Sequence, residues 1–258
     1  LPHILVFDSG VGGTSVLSHI QSLLPNAQYS YVMDNALLPY GLQSEQTIQS
    51  RLACLIKRID CFERKVDLIV IACNTASTQA LAATRMLTSI PIVGVVPAVK
   101  PAAARSKSKR IALLATPATS NNAYTNALIA EYAQGCRVDL HKSTRLVALA
   151  EQYYWQQTLD LDKLNRELEY INIDKQVDCI VLGCTHFPIL RAQLAQYYGQ
   201  QVELIDSGHA IAQRVQFLLK DKDHNDHDIK MPLQFFATAP NGMTNKEGIA
   251  SKAIELSC

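Results

Sequence analysis

Two stretches of the chain repeat one pattern around a cysteine. The first runs Val66-Asp67-Leu68-Ile69-Val70-Ile71-Ala72-Cys73-Asn74-Thr75, the second Val177-Asp178-Cys179-Ile180-Val181-Leu182-Gly183-Cys184-Thr185-His186. In each, an apolar β-branched run ends in a small residue, then a thiol, then residues suited to open a helix. A thiol takes a proton or attacks carbon only as thiolate; its free pKa of about 8.5 falls at helix N-termini and beside cations. His186 lies two residues from Cys184. Two thiols at matched strand ends suit a substrate held between them, one acting as acid and the other as base. Two plainer readings stand beside this one. Both cysteines can be inert core thiols, or they can join His186 in a zinc site, although the spacing is not that of the usual zinc motifs.

Other polar residues cluster at predicted strand ends: Asp8-Ser9-Gly10, Asn74-Thr75, Thr116 with Thr119, and Thr185. Hydroxyl and amide side chains, with backbone N–H groups at helix starts, hold a carboxylate without a cation. No Arg or Lys occupies these positions, which points to a small anion bound by neutral donors. Asp8 can equally serve as a plain N-cap, and His186 can cap or pack. Glu151 closes the apolar helical stretch 146–150 and by composition reads as a solvated helix residue. The run Gly10-Val11-Gly12-Gly13 is not Gly-x-Gly-x-x-Gly and lacks the Lys-Ser/Thr of a P-loop, so a nucleotide loop is disfavoured. No internal-lysine motif for pyridoxal phosphate is evident.

These residues need elements to carry them. Apolar runs bounded by turn or cap signals read as strands buried on both faces of a parallel sheet, and ligands of such sheets gather at the carboxyl ends of the strands. Strands are predicted at 4–7, 29–33, 67–71, 92–95, 111–115, 137–141, 179–182, 202–205 and 233–236. Helices are predicted from the glycine run to about 24 and at 45–63, 77–88, 119–132, 147–157, 161–171, 188–197, 211–219 and 246–256. The basic, Ala-rich segment 100–110 interrupts the alternation. Repeated βα units imply an α/β fold with mostly parallel sheets flanked by helices. The repeat around the cysteines, and similar strands before Asp8 and Thr116, imply two similar domains: 1–96 plus 207–258, and 97–206. The polar stretch 220–230 reads as a solvated loop, with metal binding by His224 and His227 a minor alternative.

Composition narrows the function class. The 258 residues are 48% apolar with a net charge of +1, so nothing argues for nucleic acid or an anionic membrane as partner. No apolar run approaches a membrane span, no secretory signal is visible, and a cytoplasmic protein is expected. The cysteine count is odd, seven, with no Cys-x-x-Cys pair, so reduced thiols rather than a disulfide framework are expected. Cys54, Cys61 and Cys179 read as small buried hydrophobes.

Taken together, Phe7-Asp8-Ser9-Gly10-Val11-Gly12-Gly13, Pro39-Tyr40-Gly41, Ala72-Cys73-Asn74-Thr75-Ala76-Ser77 and Leu182-Gly183-Cys184-Thr185-His186-Phe187-Pro188 resemble the glutamate racemases, cofactor-independent members of the aspartate/glutamate racemase superfamily. The similarity continues through Gly94-Val95-Val96-Pro97, Ala115-Thr116 and Ile205-Asp206-Ser207-Gly208. The resemblance implies two α/β domains with the site in the cleft between them, no cofactor and no metal. It also implies a two-base mechanism in which Cys73 acts on D-glutamate and Cys184 on L-glutamate. Asp8 then assists Cys73, His186 assists Cys184, and Glu151 matches an acidic residue of the family. Ser9, Pro39, Tyr40, Gly41, Asn74, Thr75, Thr116, Thr119 and Thr185 surround the substrate's amino and carboxylate groups. The family further implies a bacterial cytoplasmic enzyme supplying D-glutamate for peptidoglycan. Some members are activated by a cell-wall precursor, and dimer arrangements vary. Thr14, Leu42-Gln43 and Ala118 depart from the usual family pattern; none touches the thiol chemistry. Aspartate racemisation, another cysteine-based isomerisation or decarboxylation, and ligand capture without catalysis are the alternatives.

Overall fold

The computed structural model describes residues 1–220, 232–240, 242, 244, 248 and 250–256. Two all-parallel sheets carry the architecture. The first holds β1 (His3–Asp8), β2 (Gln28–Met33), β3 (Leu68–Ile71), β4 (Ile92–Gly94), β9 (Gln234–Ala237) and β10 (Lys252–Ala253), in the order β10-β9-β2-β1-β3-β4. The second holds β5 (Arg110–Ala115), β6 (Arg137–Lys142), β7 (Cys179–Leu182) and β8 (Glu203–Ile205), in the order β6-β5-β7-β8.

Alternating residues of the central strands serve separate cores, as the two-residue side-chain period requires. Ile4 and Val6 of β1 join one cluster, Leu5 and Phe7 another. In the second sheet Ala112 and Leu114 of β5 face one cluster, Ile111 and Leu113 the other. Helices cover both faces. Those flanking the first sheet are α1 (Thr14–Leu23), α2 (Glu45–Lys57), α3 (Asn74–Arg85) and α10 (Gly208–Leu219). Those of the second half are α4 (Val99–Arg105), α5 (Pro117–Ser120), α6 (Ala123–Tyr132), α7 (Arg145–Gln156), α8 (Leu161–Ile171) and α9 (Arg191–Tyr198). Among the described residues no helix is long and apolar enough to cross a membrane.

Register brings the cysteine strands beside the leading strand of each sheet. Phe7 pairs with Ile71, and the Ala72 N–H donates to the Phe7 carbonyl at 2.8 Å. Leu114 pairs with Leu182, and the Gly183 N–H donates to the Leu114 carbonyl at 2.8 Å. The residues after each strand therefore emerge at the same edge.

Several segments differ from expectation. The basic stretch after residue 99 is no interruption but helix α4, with Val99 and Ala102 buried. The predicted helix 45–63 ends at Lys57, followed by a short 3-10 turn at Ile59–Cys61. The predicted helix 119–132 breaks into α5 and α6, because Asn122 stops one turn and caps the next by accepting the Tyr124 N–H. No closing helix spans 246–256: Lys252–Ala253 forms an edge strand parallel to β9, and residues 245–247 and 249 lie outside the described set. The reading of His224 and His227 likewise lies outside it. Cys54 is disulfide-bonded, against the expectation that every thiol is reduced.

Candidate active site

The carboxyl ends of β1, β3, β5 and β7 face one small, tightly closed cavity. Its lining includes Ser9, Pro39, Tyr40, Gly41, Cys73, Asn74, Thr75, Thr116, Cys184, Thr185 and His186, all marked by the sequence, together with Val147. The remaining three marked residues stand just behind this wall. Asp8 accepts the Thr185 hydroxyl at 2.9 Å, Glu151 Oε1 accepts from His186 Nε2 at 2.8 Å, and Thr119 shares a hydroxyl cluster with Thr75 and Thr116. Both thiols line the cavity, Cys73 from the first sheet and Cys184 from the second.

Cys73 is the N-cap residue of α3, in extended conformation, so its thiol stands over the first turn of that helix. Cys184 differs from expectation: a short 3-10 turn, Phe187–Leu190, follows it before α9 begins. The reason is local, since Pro188 sits where a longer helix would need its N–H.

The surroundings of Cys73 are acidic and dry. Its thiol donates to Ser9 Oγ at 3.9 Å, a long sulfur contact, and Ser9 Oγ donates onward to Asp8 Oδ1 at 3.4 Å. Asp8 is fully buried and accepts the Gly10 N–H at 2.9 Å besides the Thr185 hydroxyl. Burial pushes the Asp8 carboxyl above its ordinary range, against the pull of His186 and these donors. Burial, and then the Asp8 charge, push the Cys73 thiol well up. Ser9 is thus the bridge between acid and thiol, a role that its type alone did not indicate.

The surroundings of Cys184 hold an imidazole instead of a carboxyl. Its sulfur lies 3.8 Å from His186 Nδ1. Burial alone would lower the His186 pKa, but bonding to Cys184 and Glu151, and their charges, carry it well above the ordinary value. Burial acts to raise the Glu151 carboxyl, but His186, the Val11 N–H and the Trp155 indole outweigh it and hold it below the usual range. Glu151 Oε1 accepts the Val11 N–H at 2.8 Å, and Oε2 accepts Trp155 Nε1 at 3.1 Å. Glu151 is therefore no solvated helix residue. It ties the glycine run of the first half to the histidine of the second.

That contact explains the glycines. A Cβ on Gly10 would overlap Glu151 Oε1, and one on Gly12 would meet the His186 ring. The loop is bare because two side chains from the other half close onto it, which replaces any phosphate reading of this run. Gly41 likewise presses on Thr116, where a Cβ would stand 2.6 Å from the threonine Cβ.

Sequence reasoning missed three residues. Val147, on α7, adds an apolar wall; its place in the stretch 146–150 was visible, its direction was not. Asp34 and Arg51 anchor Tyr40, whose hydroxyl donates to Asp34 Oδ2 at 2.6 Å. Among the described residues no group of three or more His, Cys, Asp or Glu is arranged to hold a metal ion.

Comparison with known proteins agrees with this architecture. The family described as Asp/Glu/hydantoin racemase matches residues 4–215. A glutamate racemase of Shewanella frigidimarina is 48% identical over 227 residues, 88% of this chain and 87% of the relative. One from Shewanella sp. strain ANA-3 is 52% identical over 219 residues, 84% of this chain and 79% of its own. Among solved structures, Escherichia coli glutamate racemase in complex with L-glutamate and the activator UDP-MurNAc-Ala superposes with a TM-score of 0.83 at 40% identity, covering 92% of this chain and 89% of that one. Two parallel sheets flanked by helices, with four strand ends meeting at two thiols, are thus accompanied by sequence similarity over most of the chain. The chain belongs to the Asp/Glu/hydantoin racemase family: it is a racemase, an isomerase.

Proposed function

We propose that this racemase interconverts L- and D-glutamate by passing the α-proton between two thiols, without a cofactor. The observation that carries the reading is that Cys73 and Cys184 line one cavity from two different sheets. Inversion needs a base on one face of the α-carbon and an acid on the other, and two thiols that reach one cavity from different sheets are suited to supply both. The preference for glutamate over aspartate rests on the glutamate racemases that are about half identical to this chain.

The electrostatics suggest where the proton rests. Burial and Asp8 favour the protonated thiol at Cys73, while the His186 ring, its pKa raised against burial by Cys184 and Glu151, lies beside the Cys184 sulfur. Starting from L-glutamate, Cys184 removes the α-proton and Cys73 delivers its own to the opposite face, with Ser9 and Asp8 behind it. Starting from D-glutamate the roles exchange. Ser9, Asn74, Thr75, Thr116, Thr119 and Thr185, with the loop at Pro39, Tyr40 and Gly41, hold the carboxylates and the amino group. Their neutral dipoles meet the charge that develops as the α-carbon loses its proton, and the small, partly apolar cavity excludes water that would solvate it.

The product is read as D-glutamate for peptidoglycan in a bacterial cytoplasm. The division into 1–96 with 207–258 and 97–206, read from the repeat around the two cysteines, belongs to this reading as well. A cell-wall precursor as activator, by analogy with the E. coli complex, and a homodimer belong to this reading too. The test is α-hydrogen exchange in heavy water with both enantiomers of glutamate and of aspartate, no cofactor added, and product chirality followed. Deuterium entry with inversion for glutamate alone is expected. Inversion of aspartate instead moves the assignment to the sister activity, and no exchange with any of the four, precursor present, refutes it.

A further inference from the structure

Behind the cavity wall formed by residues 39–41 lies a charged cluster that the two-thiol reading does not use. Asp34 follows β2 directly and is fully buried, its N–H donating to the Asp8 carbonyl at 2.9 Å. Both of its carboxylate oxygens are occupied. Oδ2 accepts Tyr40 Oη at 2.6 Å and Arg51 Nε at 2.8 Å; Oδ1 accepts Arg51 Nη2 at 2.6 Å and Thr238 Oγ1 at 2.8 Å. The third guanidinium nitrogen of Arg51, Nη1, donates to the Leu256 carbonyl at 2.6 Å. A two-point Arg–carboxylate pair fixes direction as well as charge, so the position of the Tyr40 hydroxyl is set by a group that is itself immobilised.

Tyr40 is the link to the substrate cavity. It is buried to 1% exposure and lines the cavity beside Cys73, with Gly41 pressed against Thr116 of the other half. Burial and then Asp34 push its phenol well above the ordinary value, so the hydroxyl remains a donor to Asp34. The outer members of the cluster, Thr238 and Leu256, lie beyond residue 215, where the family match ends.

We propose that Asp34, clamped by Arg51 and Thr238, is a positioning residue for racemisation: through Tyr40 it holds the wall at residues 39–41 in the geometry that grips the substrate, and so joins the last part of the chain to the active site. The proposal rests on the glutamate reading above. It predicts that a change at Asp34 acts on catalysis through Tyr40 rather than through the fold at large.

A double-mutant cycle on the full chain tests this, with Tyr40→Phe, Asp34→Asn and the pair. Each single variant is expected to raise the KM for both glutamate enantiomers by about tenfold, with a smaller fall in kcat, since a hydrogen bond to a buried charge is lost. The pair is expected to be no worse than Asp34→Asn alone. Losses that multiply, or a Tyr40→Phe enzyme with unchanged KM, overturn the proposal. Should Asp34→Asn fail to fold, Thr238→Val with Tyr40→Phe completes the same cycle. Alkylation of Cys73 by iodoacetamide, followed by mass spectrometry, gives a readout free of substrate: a loosened wall speeds it in Tyr40→Phe. Faster alkylation in that variant, with a wild type inactive on glutamate, faults the substrate and keeps the clamp. An active wild type with alkylation unchanged in the variant faults the clamp.

Discussion

Cys73 and Cys184 hold equivalent places on two parallel sheets, each just past a strand that pairs with the leading strand of its half. Their neighbours are opposite in kind. Cys73 looks through Ser9 to a buried carboxyl, whereas Cys184 sits beside an imidazole held by Glu151. The backbone supplies symmetry of position, and unlike side chains supply asymmetry of charge. Under the two-thiol scheme one sulfur holds a proton while the other does not, and unlike neighbours bias which of them holds it. The supporting groups also cross between halves. Thr185 of the second half bonds Asp8 of the first, and Glu151 of the second accepts the Val11 N–H of the first. Each thiol is thus tuned partly by the half to which it does not belong.

The severest way to break the comparison is to remove either sulfur. Cys73→Ser and Cys184→Ser are each expected to lower inversion of glutamate by about a thousandfold or more, the scale of a lost proton-transfer group, as followed by circular dichroism. Two-way turnover near wild type in either variant would sink the two-base scheme. His186→Asn comes next, with about a hundredfold loss in kcat/KM. Enantiomers have equal free energy, so that loss must be the same in both directions. The asymmetry shows in kcat, with KM shifting in step: kcat should drop further from L-glutamate, where Cys184 is the proposed base. Ser9→Ala, which cuts the bridge from Cys73 to Asp8, is expected to cost about tenfold, with the kcat bias reversed towards D-glutamate. Equal bias in the two variants would show that the thiols are not distinguished by these neighbours.

Two smaller effects concern stability. His186 has a raised pKa in the folded protein, so its protonated form contributes stability that is complete below the ordinary value of 6.5 and is lost as pH rises through the folded value. The Tm advantage of wild type over His186→Asn should therefore be widest on the acid side and shrink with rising pH; a constant gap would contradict the ion pair with Glu151. The control lies at the other end of the cysteine strands, where each repeat carries an aspartate as its second residue. Burial would raise Asp178, but the Ser106 hydroxyl, Ser108 and the Lys107 N–H outweigh it and lower it from 3.8 to about 2. That lowering contributes stability present above 3.8 and lost as pH falls towards 2. Asp178→Asn should flatten the acid limb of a stability profile and leave racemisation unchanged, since the residue stands at the opposite strand end from the thiols.

Local signals made much of this molecule readable. The apolar runs 67–71 and 179–182 announce strands buried on both faces, and their C-terminal residues fall at the ligand edge for a geometric reason that holds for parallel sheets in general. Helix α8 was legible to the residue, because Asp160 caps it and its apolar stripe is clean. Where the signal was weak or shared, the reading failed. The basic stretch before β5 buries Ala102 against the second sheet and folds as a helix, and Lys252–Ala253 pairs as a strand because the β9 edge is available. Composition within either segment contains neither partner.

What the sequence determined by itself is the set of reactive groups and the edge at which each appears, since side-chain type and strand periodicity are properties of a few consecutive residues. Only the tertiary structure decided which of those groups touch. Glu151 reads as a solvated helix residue until Val11, 140 residues away, donates to it. Ser9 becomes a bridge only because Cys73, 64 residues on, comes to rest against it. Asp34 is silent until Arg51, Tyr40 and Thr238 converge on it from three separate segments. A buried charge is stable only when its bonds are all met, and those partners come from wherever the packed chain happens to pass.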